Sequence, residues 1–305
     1  MRKSGLYTSL ERAGLSFARN IPLAPYTTFR IGGMADCMVF PKTAEEAVYA
    51  FRLCKTKNIP CFVLGRGANL LVSDGGVRGA VICMRYLSAV TQADNCIQAQ
   101  AGVPLGKLLS LCQKNGLGGL SHLCGIPATV GGAVAMNAGA NGAEIGDAVE
   151  FVTFYDSRED TVKCFAQKEF AFGYRHSLCH MREGMILSVS FRFSPASPIV
   201  LLSEMKALAK ERKAKHPLDY PSAGSTFRRP FPYFAPRLIE GAGLKGCRVG
   251  DAVISQKHAG FILNLGSASA KDVHTLITHA QTVVRDTYSV SLEPEIIFWG
   301  ELPHT

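Results

Sequence analysis

Two glycine-rich segments are the best candidates in this sequence for binding a phosphorylated ligand. The first, residues 64–71 (LGRGANLL), directly follows a predicted strand. Backbone N–H groups exposed in such a turn can form an anion-binding nest for a pyrophosphate, with Asn69 as a neutral donor. An ordinary tight turn would explain the same residues, so the pattern is compatible with both a phosphate site and a structural role.

The second segment is residues 125–139 (GIPATVGGAVAMNAG). It combines glycines, where a backbone can approach a ligand closely, with an apolar wall and few polar groups. A flat aromatic cofactor that carries phosphates needs this combination. On these residues alone, cofactor binding and a structural loop are equally favoured.

A third segment, residues 241–246 (GAGLKG), matches the GxGxxG pattern of dinucleotide-binding folds. That fingerprint requires a preceding strand, a following helix and an acidic residue about 20 positions later. Here residues 236–240 have a helical pattern, and no Asp or Glu lies between Asp251 and Asp272. We therefore predict that these glycines end a helix and turn into a strand.

The spacing of histidines and cysteines disfavours metal and redox-dithiol chemistry. His176, Cys179 and His180 lie within five residues, but they lack a fourth partner at a fixed spacing, so we expect no metal site. The 10 cysteines form no CxxC pair, and most lie in apolar contexts. We expect buried, reduced thiols in a cytoplasmic protein.

The charge of the chain points to an anionic partner. Its 305 residues include 33 Lys and Arg against 24 Asp and Glu, a formal net charge of +9. Nucleic acid, a membrane surface or a phosphorylated small molecule could use this charge. The densest basic run, residues 206–215, has no interleaved aromatic residues that could stack on bases, so it favours a solvated helix face over nucleic-acid binding.

Composition and length describe a globular protein of mixed helices and strands. With 47% hydrophobic and 19% charged residues, the sequence excludes disorder, collagen and coiled coil. The first twenty residues lack the apolar stretch of a signal peptide. Residues 115–143 carry no formal charge, but their glycines, proline and asparagines argue against a membrane-spanning helix. We expect a soluble protein.

Caps and periodicity predict the elements that position these segments. A helix is predicted over residues 43–58, where Thr43 and Glu46 form a capping box, and another over residues 104–115 after Pro104. Strands are predicted at residues 59–64, 151–155, 161–165 and 185–193, the middle two as a hairpin.

A boundary is predicted at residues 194–198, where two prolines and two serines interrupt the pattern. Beyond it, Ser269 and Asp272 predict a capped helix start. The predicted elements are helices at residues 202–213, 236–240 and 270–286 and strands at residues 260–265 and 295–299.

Six segments, taken in order, closely resemble the family of UDP-N-acetylenolpyruvoylglucosamine reductases, also called UDP-N-acetylmuramate dehydrogenases. They are YTTFRIGG (26–33), residues 64–71, residues 125–139, FGYR (172–175), AGSTF (223–227) and EPE (293–295). The resemblance runs from about residue 20 to residue 300 and fits the shorter type of this family.

The resemblance implies an α+β fold. It implies an FAD-binding domain of the vanillyl-alcohol-oxidase (PCMH) type over residues 1–196, with two α+β subdomains at about 1–58 and 59–196, and a smaller α/β substrate-binding domain over residues 197–305. FAD would be noncovalent, since residues 66–71 contain no histidine. With NADPH as cosubstrate, the family reduces UDP-N-acetylglucosamine enolpyruvate to UDP-N-acetylmuramate for peptidoglycan synthesis.

The same resemblance implies three catalytic residues. Arg175 would bind the substrate carboxylate and stabilise the charge that develops there. Ser225 would donate a proton to carbon. Glu295, protonated and with a raised pKa, would hydrogen-bond the developing acid oxygen.

The resemblance also implies ligand contacts at many positions. Those for FAD are Arg30, Gly65, Arg66, Gly67, Ala68, Asn69, Leu70, Gly125, Pro127, Gly131, Gly132, Asn137 and Gly139. Those for the substrate are Tyr174, Arg212, Lys215, Arg229, Lys257 and His258. Arg229 departs from the asparagine that some members have four residues after the serine, so the hydrogen bonds around the substrate diphosphate stay open.

Two other functions stay open at this point. Another FAD-dependent oxidoreductase of the same fold could act on a different sugar or alcohol, and a basic module could bind nucleic acid or membrane phosphate. The preferred function implies a UDP-sugar ligand, no nucleic-acid or membrane partner, and a monomer.

Overall fold

The computed structural model describes residues 2–140 and 142–301, which form seven α-helices and eighteen strands. The helices are α1 (Arg2–Arg12), α2 (Ala44–Thr56), α3 (Leu105–Lys114), α4 (Val130–Ala135), α5 (Pro198–Lys215), α6 (Ala235–Gly241) and α7 (Ala270–Tyr288). The first nine strands are β1 (Phe17–Pro22), β2 (Met34–Val39), β3 (Cys61–Leu64), β4 (Leu70–Val72), β5 (Val77–Cys83), β6 (Val90–Ala93), β7 (Cys96–Gln100), β8 (Leu117–Gly118) and β9 (Gly139–Ala140). The others are β10 (Ala143–Glu144), β11 (Val149–Asp156), β12 (Thr161–Ala166), β13 (Gly184–Arg192), β14 (Ser194–Pro195), β15 (Arg248–Val249), β16 (Ala252–Ile254), β17 (Ile262–Asn264) and β18 (Ile297–Trp299).

The chain forms two compact units, and neither is continuous in sequence. The first unit consists of the residues up to Ala18, Cys37–Arg66 and Gly79–Glu211. The second consists of Arg19–Asp36, Gly67–Arg78 and the residues from Arg212 on. The functional division into residues 1–196 and 197–305 stays a prediction, because this grouping by proximity does not report what either unit binds.

A five-stranded antiparallel sheet, in the order β12-β11-β13-β7-β6, dominates the first unit. It contains the predicted hairpin, in which Phe151 pairs with Ala166 and Asp156 with Thr161. A second sheet has the order β1-β2-β5-β3, and its residues 17–18, 37–39, 79–83 and 61–64 belong to this unit. Helix α2 begins as predicted, because Thr43 Oγ1 accepts the Glu46 N–H at 3.2 Å.

The second unit contains a three-stranded antiparallel sheet, β15-β16-β17, and a parallel pair, β4 with β18, that joins Leu70 to Ile297 in register. Helix α7 buries one face in this unit. Its N-terminus has the predicted capping box between Ser269 and Asp272. Asp74 adds a second cap, because its carboxylate oxygens accept the N–H groups of Ala270 at 2.8 Å and Lys271 at 3.1 Å.

The GxGxxG segment ends helix α6 and leads into strand β15, as predicted. The N–H groups of Gly243 and Leu244 return to the carbonyls of Glu240 and Ile239 at 3.0 and 3.1 Å. Gly243 adopts a positive φ of 72°, which glycine tolerates without strain. These glycines are therefore explained by the helix end, and the Rossmann reading is excluded by the local fold.

The burial of helix α5 and of the cysteines tests two predictions made from the sequence. Of helix α5 only Leu201 is buried, so the basic run lies on a solvated helix as expected. The ten cysteines, all in the described part of the chain, form no disulfide, but only those at positions 37, 54, 83 and 112 are buried, and Cys164 is exposed. The expectation that most thiols are buried is therefore wrong for this fold.

Within the described part of the chain, no helix has the length and apolar character to cross a membrane.

Replacing Asp74 by alanine should destabilise the second unit, because it removes a charged acceptor from the first turn of α7. We expect a loss of about 1 kcal/mol in the free energy of unfolding, measured by urea denaturation. Asp286→Ala, at the opposite end of the same helix, is the matched control and should change this free energy by less than about 0.5 kcal/mol. Equal losses in the two variants would contradict a capping role for Asp74.

Candidate active site

The turn after β3 depends on two glycines that no other residue could replace without movement. A Cβ on Gly65 would lie 2.5 Å from Thr129 Oγ1. Gly67 has a φ of 65°, and its Cβ would lie 2.6 Å from the Tyr26 carbonyl oxygen. The backbone is therefore held closely at both positions.

The backbone N–H groups of Gly67, Ala68 and Asn69 donate to no acceptor among the residues that the structure describes. These three residues are partly exposed, so a ligand can reach them. Consecutive N–H groups without internal acceptors are what an anion-binding nest requires. The turn thus has the donors that a pyrophosphate would need, and cofactor binding at this turn stays a prediction.

The Asn69 side chain does something the sequence did not indicate. Its Nδ2 donates to the backbone carbonyl of Glu295 at 2.9 Å, and the Asn69 carbonyl accepts the Ile297 N–H at 3.0 Å. The Asn69 side-chain amide, which was predicted to donate to a pyrophosphate, thus uses one of its hydrogens to hold the segment that carries Glu295. Leu70, also predicted to contact the cofactor, is buried at the start of β4.

The YTTFRIGG segment is mostly scaffold. Thr28 Oγ1 donates to the Ser222 carbonyl at 2.7 Å, and the Gly33 N–H donates to the Ser73 carbonyl at 2.9 Å. A Cβ on Gly33 would lie 2.2 Å from the Asp74 carbonyl oxygen. Arg30 is exposed, with a positive φ of 55°, so it is the residue of this segment best placed to reach a ligand.

Residues 125–139 divide into packed and exposed positions. Gly131 is buried, and its Cβ would lie 2.7 Å from that of Ala101, so packing alone explains this glycine. Gly125, Pro127 and Gly132 are exposed. The N–H groups from Val130 to Ala133 already have protein acceptors. This segment can therefore provide a ligand with a complementary surface, but those four N–H groups are not available as hydrogen-bond donors.

The Asn137 side chain makes three hydrogen bonds that connect this segment to its neighbours. It is buried and has a φ of 42°. Its Oδ1 accepts the Gly146 N–H at 3.1 Å, while Nδ2 donates to Glu144 Oε2 at 2.5 Å and to the Gly173 carbonyl at 3.0 Å. Because its polar atoms are satisfied within the protein, Asn137 positions other residues, and its predicted contact with the cofactor stays untested.

The turn that Asn137 holds presents Tyr174 and Arg175. Gly173 and His176 exchange two backbone hydrogen bonds at 3.0 and 3.1 Å, and Arg175 lies between them with a φ of 53°. The Arg175 guanidinium lies 5.2 Å from the Tyr174 ring centroid, and Nη2 donates to the Gly139 carbonyl at 3.4 Å. The cation is thus held in a defined place.

The neighbouring histidines behave as ordinary packed rings. The His176 and His180 rings stack 5.1 Å apart, and Nδ1 of His180 accepts the Ser177 N–H at 3.3 Å. Within residues 2–140 and 142–301, no group of three His, Cys, Asp or Glu side chains is arranged to hold a metal ion.

In the second unit, Ser225 and Glu295 lie on two adjoining segments. The Glu295 N–H donates to the Thr226 carbonyl at 2.8 Å, and Phe227 bridges to Pro294. Ser225 is exposed and follows Gly224, which has a φ of 78°. Both backbone groups of Glu295 are therefore fixed, since its carbonyl also accepts from Asn69.

Basic predicted substrate contacts surround His216. Burial first, then the charges of Arg212, His258, Lys215 and Lys257, lower the pKa of His216 to about 4. The Arg229 guanidinium lies 4.0 Å from the Phe234 ring centroid, and its Nε donates to the Tyr233 carbonyl at 3.3 Å.

Three buried polar atoms of this region lack a partner in the described structure: His216 Nδ1, Thr226 Oγ1 and Arg228 Nε. An unpaired buried polar atom is costly, so such a group marks a place where water or a ligand completes the structure. Reasoning from the sequence missed Thr226 and Arg228, although both lie within three residues of Ser225.

Burial separates the predicted positions into three groups. Exposed residues are Arg30, Arg66, Gly125, Pro127, Gly132, Tyr174, Lys215, Ser225, Arg229 and Lys257. Half-buried residues are Gly65, Gly67, Ala68, Asn69, Gly139, Arg175, Arg212, His258 and Glu295. Leu70, Gly131 and Asn137 are buried.

Two family models match parts of this chain. Residues 35–164 match the model of an FAD binding domain, and residues 216–299 match the C-terminal domain of UDP-N-acetylenolpyruvoylglucosamine reductase. The UDP-N-acetylenolpyruvoylglucosamine reductase of Clostridium novyi (strain NT) is 41% identical over 282 residues, which cover 92% of each chain.

Solved structures give the same result. The crystal structure of UDP-N-acetylenolpyruvylglucosamine reductase from Thermus caldophilus has a TM-score of 0.79 and 35% identity, covering 94% of this chain and 99% of that one. Berberine bridge enzyme from Eschscholzia californica, at 14% identity and a TM-score of 0.51, covers 63% of this chain and 44% of its own, and shares the fold alone. The α+β flavoprotein fold is thus confirmed, and the chain is an FAD-dependent oxidoreductase that belongs to the family of UDP-N-acetylenolpyruvoylglucosamine reductases.

Proposed function

We propose that this chain uses NADPH to reduce the enolpyruvyl group of UDP-N-acetylglucosamine enolpyruvate, giving UDP-N-acetylmuramate for peptidoglycan synthesis. The observation that carries the proposal is the near-complete match, over 92% of both chains, to a relative named for this reductase. The proposal keeps the expected cytoplasmic location and the assignment of FAD binding to residues 1–196 and of substrate binding to residues 197–305.

The residues present fit the cofactor. Gly67, Ala68 and Asn69 would hold the FAD pyrophosphate through their unpaired N–H groups, with Arg30 and Arg66 exposed as additional cations. FAD bound there would supply the hydride chemistry, from NADPH to the terminal vinyl carbon of the substrate. The protein must then stabilise the negative charge on the carbon next to the carboxylate. It must also deliver one proton to that same carbon.

Arg175 is proposed to bind the substrate carboxylate. Its planar guanidinium can donate two parallel hydrogen bonds to a carboxylate, which a point charge cannot do. The turn from Gly173 to His176 fixes its backbone, and the Tyr174 ring supports its guanidinium. A cation held in advance stabilises developing charge without reorganising during the reaction.

Ser225 is proposed to donate the proton from its Oγ to the carbon next to the carboxylate. An exposed hydroxyl after a glycine with positive φ is accessible to a ligand. A hydroxyl is a weak acid, but the carbanionic acceptor is strongly basic, so the transfer is feasible. Glu295, with both backbone groups fixed, would in its protonated form donate a hydrogen bond to the acid oxygen.

The basic residues around His216 are proposed to bind the substrate diphosphate. Arg212, Lys215 and Lys257 supply positive charge in the region where polar atoms lack partners. Arg229 supplies another cation, but its contacts with Phe234 and Tyr233 tie it to its own loop.

The function is tested with anaerobic, FAD-loaded protein. NADPH should bleach the flavin absorbance, and the enolpyruvyl nucleotide should restore it. A flavin that NADPH cannot bleach, or that only O₂ reoxidises, would contradict the proposal and point to another oxidoreductase of this fold. If the protein gains no flavin absorbance on adding FAD, while its binding to unrelated duplexes falls steeply with salt, the nucleic-acid alternative is favoured.

Ser225→Ala should separate the two halves of the reaction. NADPH should bleach the flavin at the parent rate, because this half needs no proton at carbon. Reoxidation by the enolpyruvyl nucleotide should slow by about 10²- to 10⁴-fold, measured by stopped-flow absorbance. Ser267→Ala, an exposed serine of the same unit, is the control. Reoxidation of Ser225→Ala at the parent rate would remove Ser225 from its role.

Arg175→Lys should retain the charge and lose the bidentate contact. We expect kcat/KM for the enolpyruvyl nucleotide to fall by about 10²- to 10³-fold, with bleaching by NADPH less affected. Arg158→Lys makes the same change at an exposed position of the first unit and should keep the parent kcat/KM. A substrate whose carboxylate is replaced by an amide should lose less on this substitution, and an equal loss would argue against carboxylate binding.

A further inference from the structure

Three rings of the second unit pack around one another. The His216 ring centroid lies 5.4 Å from that of His258 and 5.1 Å from that of Phe261, and the last two lie 5.0 Å apart. We call these three side chains the ring cluster. Because each ring contacts the other two in a small, partly desolvated volume, a change in charge on one ring acts strongly on the other two.

The two histidines of the ring cluster differ in their hydrogen bonds. Nδ1 of His258 accepts the Gly260 N–H at 3.2 Å, which requires a ring nitrogen without a proton. Nδ1 of His216 is also buried, but it has no partner within the described chain. His258 is therefore held as an acceptor, while His216 has a ring nitrogen that is free to take a proton and donate.

The charges that act on His216 are all basic. Arg212 and Lys215 lie in the last turn of α5, which ends directly before His216, and Lys257 and His258 come from the facing loop. The Lys257 ammonium donates to the Lys213 carbonyl at 2.6 Å, which ties this loop to the end of α5. These charges and burial keep His216 neutral near pH 7 in the ligand-free protein.

The other side of the ring cluster carries one charge of each sign. Burial lowers the pKa of His258, a hydrogen bond with its own backbone raises it, the charge of Lys245 lowers it and that of Glu240 raises it. Glu240 and Lys245 are joined by an ion pair of 2.5 Å, so they largely offset one another. The dominant field at the ring cluster is therefore the positive one on the side of His216.

We propose that His216 links the binding of the substrate diphosphate to the uptake of one proton. A diphosphate bound to the surrounding basic residues cancels the positive field that opposes protonation of His216, so the ring takes a proton from solvent. Nδ1 then donates a charge-assisted hydrogen bond to the diphosphate. His216 is thus a positioning residue that strengthens substrate binding. This inference rests on the proposed function, because it takes a UDP-sugar as the ligand.

The linkage has a defined sign. A group whose pKa rises on binding makes the ligand bind more tightly as the pH falls between the two pKa values. The pKa of His216 is about 4 without ligand. If the diphosphate restores the ordinary histidine value of about 6.5, the Kd at about pH 5.5 should be about tenfold lower than at about pH 7.5.

The test is isothermal titration calorimetry of the FAD-loaded enzyme with UDP-N-acetylglucosamine, whose diphosphate diester does not itself titrate in this range. Two buffers of different ionisation enthalpy give the number of protons taken up. The parent should take up about one proton at about pH 5.5 and almost none at about pH 7.5. His216→Gln keeps an amide donor, yet it should take up none and lose the tenfold change in Kd. His279→Gln, an exposed histidine of α7, should match the parent.

Binding of the nucleotide by the parent without proton uptake, or with equal uptake by His216→Gln, overturns this inference and leaves the proposed function intact. Absence of binding at both pH values overturns both. An NMR titration of the His216 ring in the parent needs no variant: its midpoint should lie near pH 4 without ligand and rise to about pH 6.5 when UDP-N-acetylglucosamine is added. An unchanged midpoint contradicts the inference even if His216→Gln fails to fold.

Discussion

The hydrogen bond from the Asn69 side chain to the Glu295 carbonyl joins the parts of the site that lie in the second unit. It reinforces the parallel pairing of β4 with β18, which brings together residues more than 220 positions apart. Closing so long a loop costs conformational entropy, which the buried strand pair and its flanking contacts must offset. The turn that is proposed to bind the FAD pyrophosphate is therefore tied directly to the segment that carries Glu295.

Glycines in this chain serve two different purposes, and only the structure separates them. Gly131 and Gly33 are required because protein atoms occupy the space a Cβ would need. Gly67 is required by its backbone conformation and by Tyr26, while its own N–H stays unpaired. A glycine-rich motif thus mixes positions that are needed for packing with positions whose N–H groups have no protein acceptor, and substitutions at the two kinds should have different consequences.

Much of the local structure could be predicted from the sequence. Thr43, Ser269 and Asp272 identify helix starts because capping uses neighbouring residues only. The hairpin of β11 and β12 and the helix end at the GxGxxG segment follow from equally local signals. The fold class also came from the ordered motifs, through the resemblance they carry.

Long-range pairings could not be predicted in this way. Nothing near Asp74 indicates that it caps a helix almost two hundred residues later, and nothing near Asn69 points to Glu295. Likewise, the resemblance implied that Asn137 contacts the cofactor, but it did not indicate that the Asn137 amide bonds to Gly146, Glu144 and Gly173. Only these partners show that Asn137 holds the turn that presents Arg175.

The interleaving of the two units has a consequence for synthesis on the ribosome. Arg19–Asp36 and Gly67–Arg78 leave the ribosome well before the residues from Arg212 on, which complete their unit. At roughly 5 to 20 residues per second, Gly67–Arg78 waits on the order of ten seconds for its partners. During that interval the apolar side chains of Phe29, Ile31 and Leu71, which end in the core of the second unit, have no core to enter. The nascent chain therefore exposes a target for chaperones that the finished protein does not.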